Sequence, residues 1–167
     1  IGNVALRCGY DVKVSEVHGM SQRGGSVVTY VKMGDKVYSP LIEKGEADII
    51  IAFEQLEALR WIDYLKKGGT LVVNEQKINP MPVITGKQKY PENILGRLKE
   101  SGINVRSINA LDIARKCGNI KAVNIVLLGL AAKLTDIDAE IWRQALTELI
   151  PPKFLDVNLK AFDAGIN

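Results

Sequence analysis

The stretch Ala47-Asp48-Ile49-Ile50-Ile51-Ala52-Phe53, with Glu54 and the run from Gln55 to Lys67 after it, decides the fold. Successive isoleucines in a short run predict a strand buried on both faces, as in parallel sheets. Leu56, Leu59, Ile62 and Leu65 then recur near helical spacing, which predicts a helix over Gln55–Lys67. Gly68 and Gly69 end that helix in this reading. Leu71, Val72 and Val73 begin a second buried strand.

Outward from this unit the alternation continues. Asn79–Pro91 holds Pro80, Pro82 and Gly86 and reads as an irregular loop. A helix over Asn93–Ser101, a strand over Val105–Ile108 and a helix over Ala110–Lys116 follow. Strand–helix–strand alternation with glycines at the joins predicts an α/β fold with a mostly parallel sheet and right-handed crossovers. On the N-terminal side, Ile1–Arg7 reads as the end of a helix capped at Gly9, and Val12, Val14 and Val17 as a short strand. Val17–Gly25 reads as a polar loop and Ser26–Met33 as another strand. Met33-Gly34-Asp35-Lys36 has the form of a hairpin turn, with Val37 and Tyr38 returning the chain. This inserted β-hairpin is expected to make the sheet mixed.

The last third is helical. Ala122–Lys133 is apolar nearly all round, either a central core helix or one covered by another subunit. Thr135 and Asp138 have the spacing of a capping box for a helix running to Leu149. Pro151-Pro152 breaks it, and Asn158–Ala164 is helical again, closed by Gly165. A single domain over residues 1–167 is expected. The chain begins Ile1-Gly2-Asn3 and its first stretch already reads as helix, so a lost N-terminus is expected too.

Composition narrows the function classes. The 167 residues carry 22 Lys+Arg against 19 Asp+Glu, a formal net charge of +3. The surplus is scattered and not interleaved with aromatics, so nucleic-acid binding has no compositional support. The longest apolar run is too short to span a bilayer. The two cysteines, Cys8 and Cys117, lie far apart and form no paired motif, which argues against a disulfide framework or metal site and for reduced thiols in the cytoplasm.

The stretch that could carry chemistry is Glu16-Val17-His18-Gly19-Met20-Ser21-Gln22-Arg23-Gly24-Gly25-Ser26. It follows a strand, so it is expected at a strand's carboxyl end, where α/β sheets place ligands. Gly24 and Gly25 allow backbone N–H groups to converge on an anion. Arg23 offers a fork suited to phosphate or carboxylate, and Ser21 and Gln22 could orient a ligand. The competing reading is a solvated connection with no ligand. His18 is either a general base or a structural histidine. Glu54 either faces the ligand crevice or caps the helix behind it. Trp61 and Trp142 read as core or interface anchors. No self-sufficient catalytic set is present.

At Glu16–Val27 the chain resembles the 2-oxoacid:ferredoxin oxidoreductases, in their indolepyruvate beta-subunit branch. The blocks Ala47–Glu54, Glu57–Trp61, Tyr64–Thr70, Val123–Gly129 and Asn158–Gly165 agree in order with that family. The family's opening strand and glycine-rich loop are missing here. The resemblance implies a Rossmann-like three-layer α/β sandwich, a gamma-type domain. It implies a subunit, inactive alone, of an enzyme that converts arylpyruvates to acyl-CoA and passes electrons to ferredoxin. Thiamine diphosphate and iron–sulfur clusters would belong to a larger alpha subunit. His18, Ser21, Gln22, Arg23, Gly24 and Gly25 would face that partner's active site or a shared coenzyme A, and in isolation the chain could form a homo-oligomer. Two other readings stand beside it. One is a free-standing nucleotide- or CoA-binding domain. The other is an interaction module presenting Ala122–Ala132.

Overall fold

The computed structural model describes residues 1–18 and 27–167, His18 by its backbone alone. In chain order the elements are α1 (Gly2–Arg7), β1 (Asp11–His18), β2 (Val27–Gly34), β3 (Ala47–Ala52), α2 (Gln55–Trp61), β4 (Leu65–Asn74), α3 (Met81–Ile84), α4 (Ile94–Glu100), β5 (Asn104–Ile108), α5 (Ala110–Lys116), α6 (Val123–Ala132), α7 (Ala139–Leu149) and α8 (Pro152–Ile166). Strands β3, β4 and β5 form a parallel sheet in that order.

Alternation along β4 sets the layers. Leu71 and Val73 point to one face, into a core with Ala58 of α2 and Ile94 and Leu98 of α4. Val72 points to the other, against α5, α6, α7 and α8. All three β4 side chains are fully buried, so the sheet is the middle of a three-layer sandwich, as the family resemblance implies. Helix α6 is the central core helix of the second layer, with Val126 and Leu127 fully buried. It is therefore not the contact surface of an interaction module.

Close helix packing explains α6 and α8. A Cβ on Gly129 would overlap the Phe162 carbonyl, and one on Gly165 would overlap the Val126 carbonyl. Gly165 thus lies inside α8 as a contact point and does not close the helix. The helix also starts earlier than its apolar pattern suggests, because Pro152 is suited to a first turn whose N–H needs no partner.

Several boundaries differ from the sequence reading. Helix α2 ends at Trp61, and a 3₁₀ turn over Ile62–Tyr64 leads into β4 at Leu65. Leu65 extends the helical spacing because it joins the same apolar core from a strand. Gly68 and Gly69 lie inside β4, where the pairing with β3 slips between Ala47 and Ile49. Gly68 has φ +83°, and a Cβ on Gly69 would come within 2.9 Å of the Asp48 carbonyl. Both glycines serve that irregularity. The loop over Asn79–Pro91 contains the single turn α3. Asp138 alone caps α7, accepting from the Glu140 N–H at 2.8 Å. The Thr135 hydroxyl instead donates back to the Ala132 carbonyl, so no capping box forms.

The hairpin is the largest topological correction. Strand β2 does not turn at Gly34 to pair with Val37 and Tyr38. It pairs antiparallel with β1, from Asp11 opposite Gly34 to His18 opposite Val27. Among the described residues the two strands pair only with each other and β3, β4 and β5 pair only in parallel, so the mixed sheet expected from the hairpin is not seen there. Asp11 explains part of this. Its carboxylate accepts from the Val37 N–H at 2.8 Å and from Lys13 Nζ at 2.7 Å, which turns the chain away after β2.

Candidate functional site

The sequence nominated the segment joining β1 to β2. Ser21, Gln22, Arg23, Gly24 and Gly25 lie outside the described residues, and His18 is described only as the last paired position of β1. The described flanks bear on one expectation. The segment follows the carboxyl end of β1, as expected, and that strand pairs antiparallel with β2 in a two-stranded ribbon and is not one of the parallel strands β3, β4 and β5.

The ribbon is held at its base on both faces. On one, Gly2 of α1 lies so close that a Cβ there would stand 3.6 Å from Val12 and Val14. On the other, Tyr30 faces Tyr64, ring centroids 6.5 Å apart, and Tyr64 packs on Trp61 at 5.0 Å. Burial first, then the neighbouring Tyr64, pushes the Tyr30 phenol pKa up. The Asp11 carboxyl is held below its ordinary range by the Lys13 ammonium and then the Val37 N–H. Toward the connecting segment Val17 and Val27 are exposed.

The carboxyl end of the parallel sheet is closed by a polar network. Glu54 is only 5% exposed. Its Oε2 accepts from the Leu56 and Glu57 N–H groups at 2.7 and 3.1 Å. Its Oε1 accepts from the Ile78 N–H at 3.1 Å and from the Tyr90 hydroxyl. The capping reading of Glu54 therefore holds, extended by two donors from the segment after β4. Burial and then this carboxylate raise the Tyr90 pKa far above its ordinary value. Asn74 is 1% exposed. Its amide donates to the Phe53 carbonyl and to Gln76, and its oxygen accepts from the Ala110 N–H that opens α5. Gln55 donates to the Glu75 carbonyl at 2.7 Å. These groups satisfy one another, and what they do is tie β3, β4, α2, α5 and the segment after β4 together.

Asn74 and Tyr90 escaped the sequence reading. The available signal was an asparagine directly behind the apolar Leu71–Val73 run, at the point where a parallel strand leaves the core. Tyr90 sits in a proline-rich loop and gave none.

The remaining candidates are structural. Trp142 is 3% exposed and stacks on Phe162, while Trp61 lies at the ribbon's base. A depression of about 350 Å³ beside Trp61 and Tyr64 is lined by charges already paired, Lys44 with Asp63 and Arg60 with Glu57. Cys8 and Cys117 are both free and stand at the C-terminal ends of α1 and α5. Among the described residues no group of metal-ligating side chains converges, and no helix is long and apolar enough to cross a membrane.

A profile of the pyruvate ferredoxin/flavodoxin oxidoreductase family matches residues 1–167. The chain belongs to that family. It is a subunit of a 2-oxoacid:ferredoxin oxidoreductase, acting within a larger complex. Relatives include the indolepyruvate oxidoreductase subunit IorB of Pyrococcus horikoshii, 42% identical over 99% of this chain and 85% of that protein. The same subunit of Thermococcus kodakarensis is 40% identical over 99% of this chain and 85% of its own length. The ketoisovalerate oxidoreductase subunit VorA of Methanothermobacter thermautotrophicus is 28% identical, over 89% of this chain and 28% of that protein. Among solved structures, the gamma subunit of a keto/oxoacid ferredoxin oxidoreductase from Geobacter sulfurreducens superimposes with a TM-score of 0.68 at 24% identity, covering 98% of this chain and 83% of that one. The 2-oxoglutarate:ferredoxin oxidoreductase of Magnetococcus marinus gives 0.69 at 20% identity, covering 98% and 26%. These two likenesses establish the fold.

Proposed function

We propose that this chain is the small, thiamine-free subunit of an enzyme that oxidatively decarboxylates indolepyruvate and related arylpyruvates. The products are CO2 and an aryl acyl-CoA, and the electrons released pass to ferredoxin. The observation that carries the substrate class is identity. Subunits named for indolepyruvate are 37 to 42% identical over nearly the whole chain, against 28% for a ketoisovalerate subunit and 23% for a pyruvate/ketoisovalerate one.

In this reading thiamine diphosphate and the iron–sulfur clusters sit on a larger cytoplasmic partner, and ferredoxin meets that partner. The polar network at the carboxyl end of the sheet is occupied in holding the fold. That leaves His18, Ser21, Gln22, Arg23, Gly24 and Gly25 as the chain's contribution to a shared site. The glycines offer backbone N–H groups and Arg23 a guanidinium fork, a combination suited to the phosphates of coenzyme A. The ribbon's anchored base and exposed distal valines support a role in reaching another chain.

The test is the purified two-subunit enzyme carrying Arg23→Ala. Loss of a charge-assisted hydrogen bond worth about 1.5–3 kcal/mol should raise the KM for coenzyme A roughly 10- to 100-fold, leaving the KM for indolepyruvate unchanged. An unchanged KM for coenzyme A would remove the loop from that site. A higher kcat/KM for pyruvate than for indolepyruvate would contradict the substrate class.

A further inference from the structure

The segment from Ile78 to Tyr90 is a loop whose two ends are tied to one atom. The Ile78 N–H and the Tyr90 hydroxyl both donate to Glu54 Oε1. Inside the loop the Thr85 hydroxyl donates to the Met81 carbonyl at 2.9 Å, and the Gln88 N–H to the Pro82 carbonyl at 3.0 Å. Pro80 and Pro82 restrict the backbone further. These ties hold the loop in one shape, yet its apolar side chains stay in water. Met81 and Ile84, three apart in the single turn α3 and so on one side of it, are 66% and 64% exposed. Phe53, next to Glu54 in the chain, and Ile78, bonded to it, are exposed as well. The stretch Gln76–Tyr90 carries Lys77, Lys87 and Lys89 and no acid. All three lysines are exposed, and among the described residues none forms a salt bridge. Val4 and Ile166, near the two ends of the chain, belong to the core on one face of the sheet, whereas Tyr90 belongs to the core on the other.

We infer that this loop is a docking knob for the larger subunit of the complex, with Met81 and Ile84 entering an apolar hollow rimmed by carboxylates. The chain is a subunit acting within a larger complex, so a stable contact surface is required of it. An apolar centre inside a charged rim is the anatomy of such contacts, in which a few side chains carry most of the binding. A loop fixed before binding loses little freedom on docking, which gives the buried Glu54 carboxylate and its donors a use beyond the fold. A second copy of this chain fits poorly, because a two-fold contact would set the three lysines against their own equivalents. The inference rests on membership of the complex and does not depend on which 2-oxoacid the enzyme takes.

The test uses the two-subunit enzyme with p-benzoylphenylalanine in place of Met81, irradiated and resolved by mass. The expected product joins this chain to the larger subunit. In the same enzyme Ile84→Glu should raise the dissociation constant between the subunits roughly tenfold or more, as expected for a side chain at the centre of a contact. Tyr38→Glu, at an exposed tyrosine outside the loop, should leave it unchanged. The cross-link is read with Ile84 intact, so it decides the matter should Ile84→Glu fold poorly. A cross-link that stays within this chain, one that joins two copies of it, or none at all would overturn the inference. So would an unchanged dissociation constant for Ile84→Glu, or equal weakening by Tyr38→Glu.

Discussion

Among the described residues Glu54 accepts more side-chain hydrogen bonds than any other, because one buried carboxylate serves α2 and the segment running from Ile78 to Tyr90. Its oxygens accept from both sides, so an amide at this position would turn one acceptor into a donor facing donors. Glu54→Gln should lower stability by about 2–4 kcal/mol, since buried donors are then left unsatisfied, measured as a fall in urea midpoint. Tyr90→Phe should cost less, about 1–2 kcal/mol. The pair also predicts a pH signature. The Tyr90 pKa is raised in the folded state, so the folded chain holds that proton more tightly than the unfolded one. The stabilisation is complete below the unfolded tyrosine value of about 10 and is lost as pH rises above it. Melting temperature should therefore fall above pH 10 more steeply in the wild type than in Tyr90→Phe. Parallel curves would contradict the role given to this hydroxyl.

At the scale of elements, the part legible in the sequence was the part fixed by apolar periodicity. Leu71–Val73 read as a doubly buried strand and is one, whereas the isoleucines of Ile49–Ile51, read the same way, pack against both cores but are only half-buried. The all-apolar run after Ala122 read as a core helix or a covered one and is the core helix. What periodicity could not show were choices made by polar or backbone groups. Leu65 fits a helical stripe and a strand end equally well, and the strand won through a pairing slip that needs the left-handed Gly68. Gly34 and Asp35 look like a hairpin turn, but the Asp11 carboxylate binds Val37 and β1 is the better partner for β2. At the α6–α8 crossing, Gly165 read as a helix end and Gly129 gave no signal, because the helix each approaches is remote in sequence. Gly129→Ala should cost about 1–3 kcal/mol through forced separation of the two helices. An exposed helical glycine would gain stability from the same change, so a rise in melting temperature would sink the close-packing account.

The whole molecule acts as one part of a larger complex. The described polar groups at the sheet's carboxyl end are spent on one another, and the candidate ligand segment joins two strands that, among the described residues, pair only with each other. Its residue types were legible because glycine, arginine and histidine concentrate there. The pairing of the strands on either side of it was not, because the register between β1 and β2 depends on contacts no local pattern announces. The most direct measurement is ferredoxin reduction with indolepyruvate and coenzyme A, comparing the purified chain, the proposed larger partner subunit, and the two combined. The account predicts turnover that reaches its full rate only in the combined sample, with none from this chain by itself. Turnover by this chain alone, or a partner equally active without it, would contradict the account.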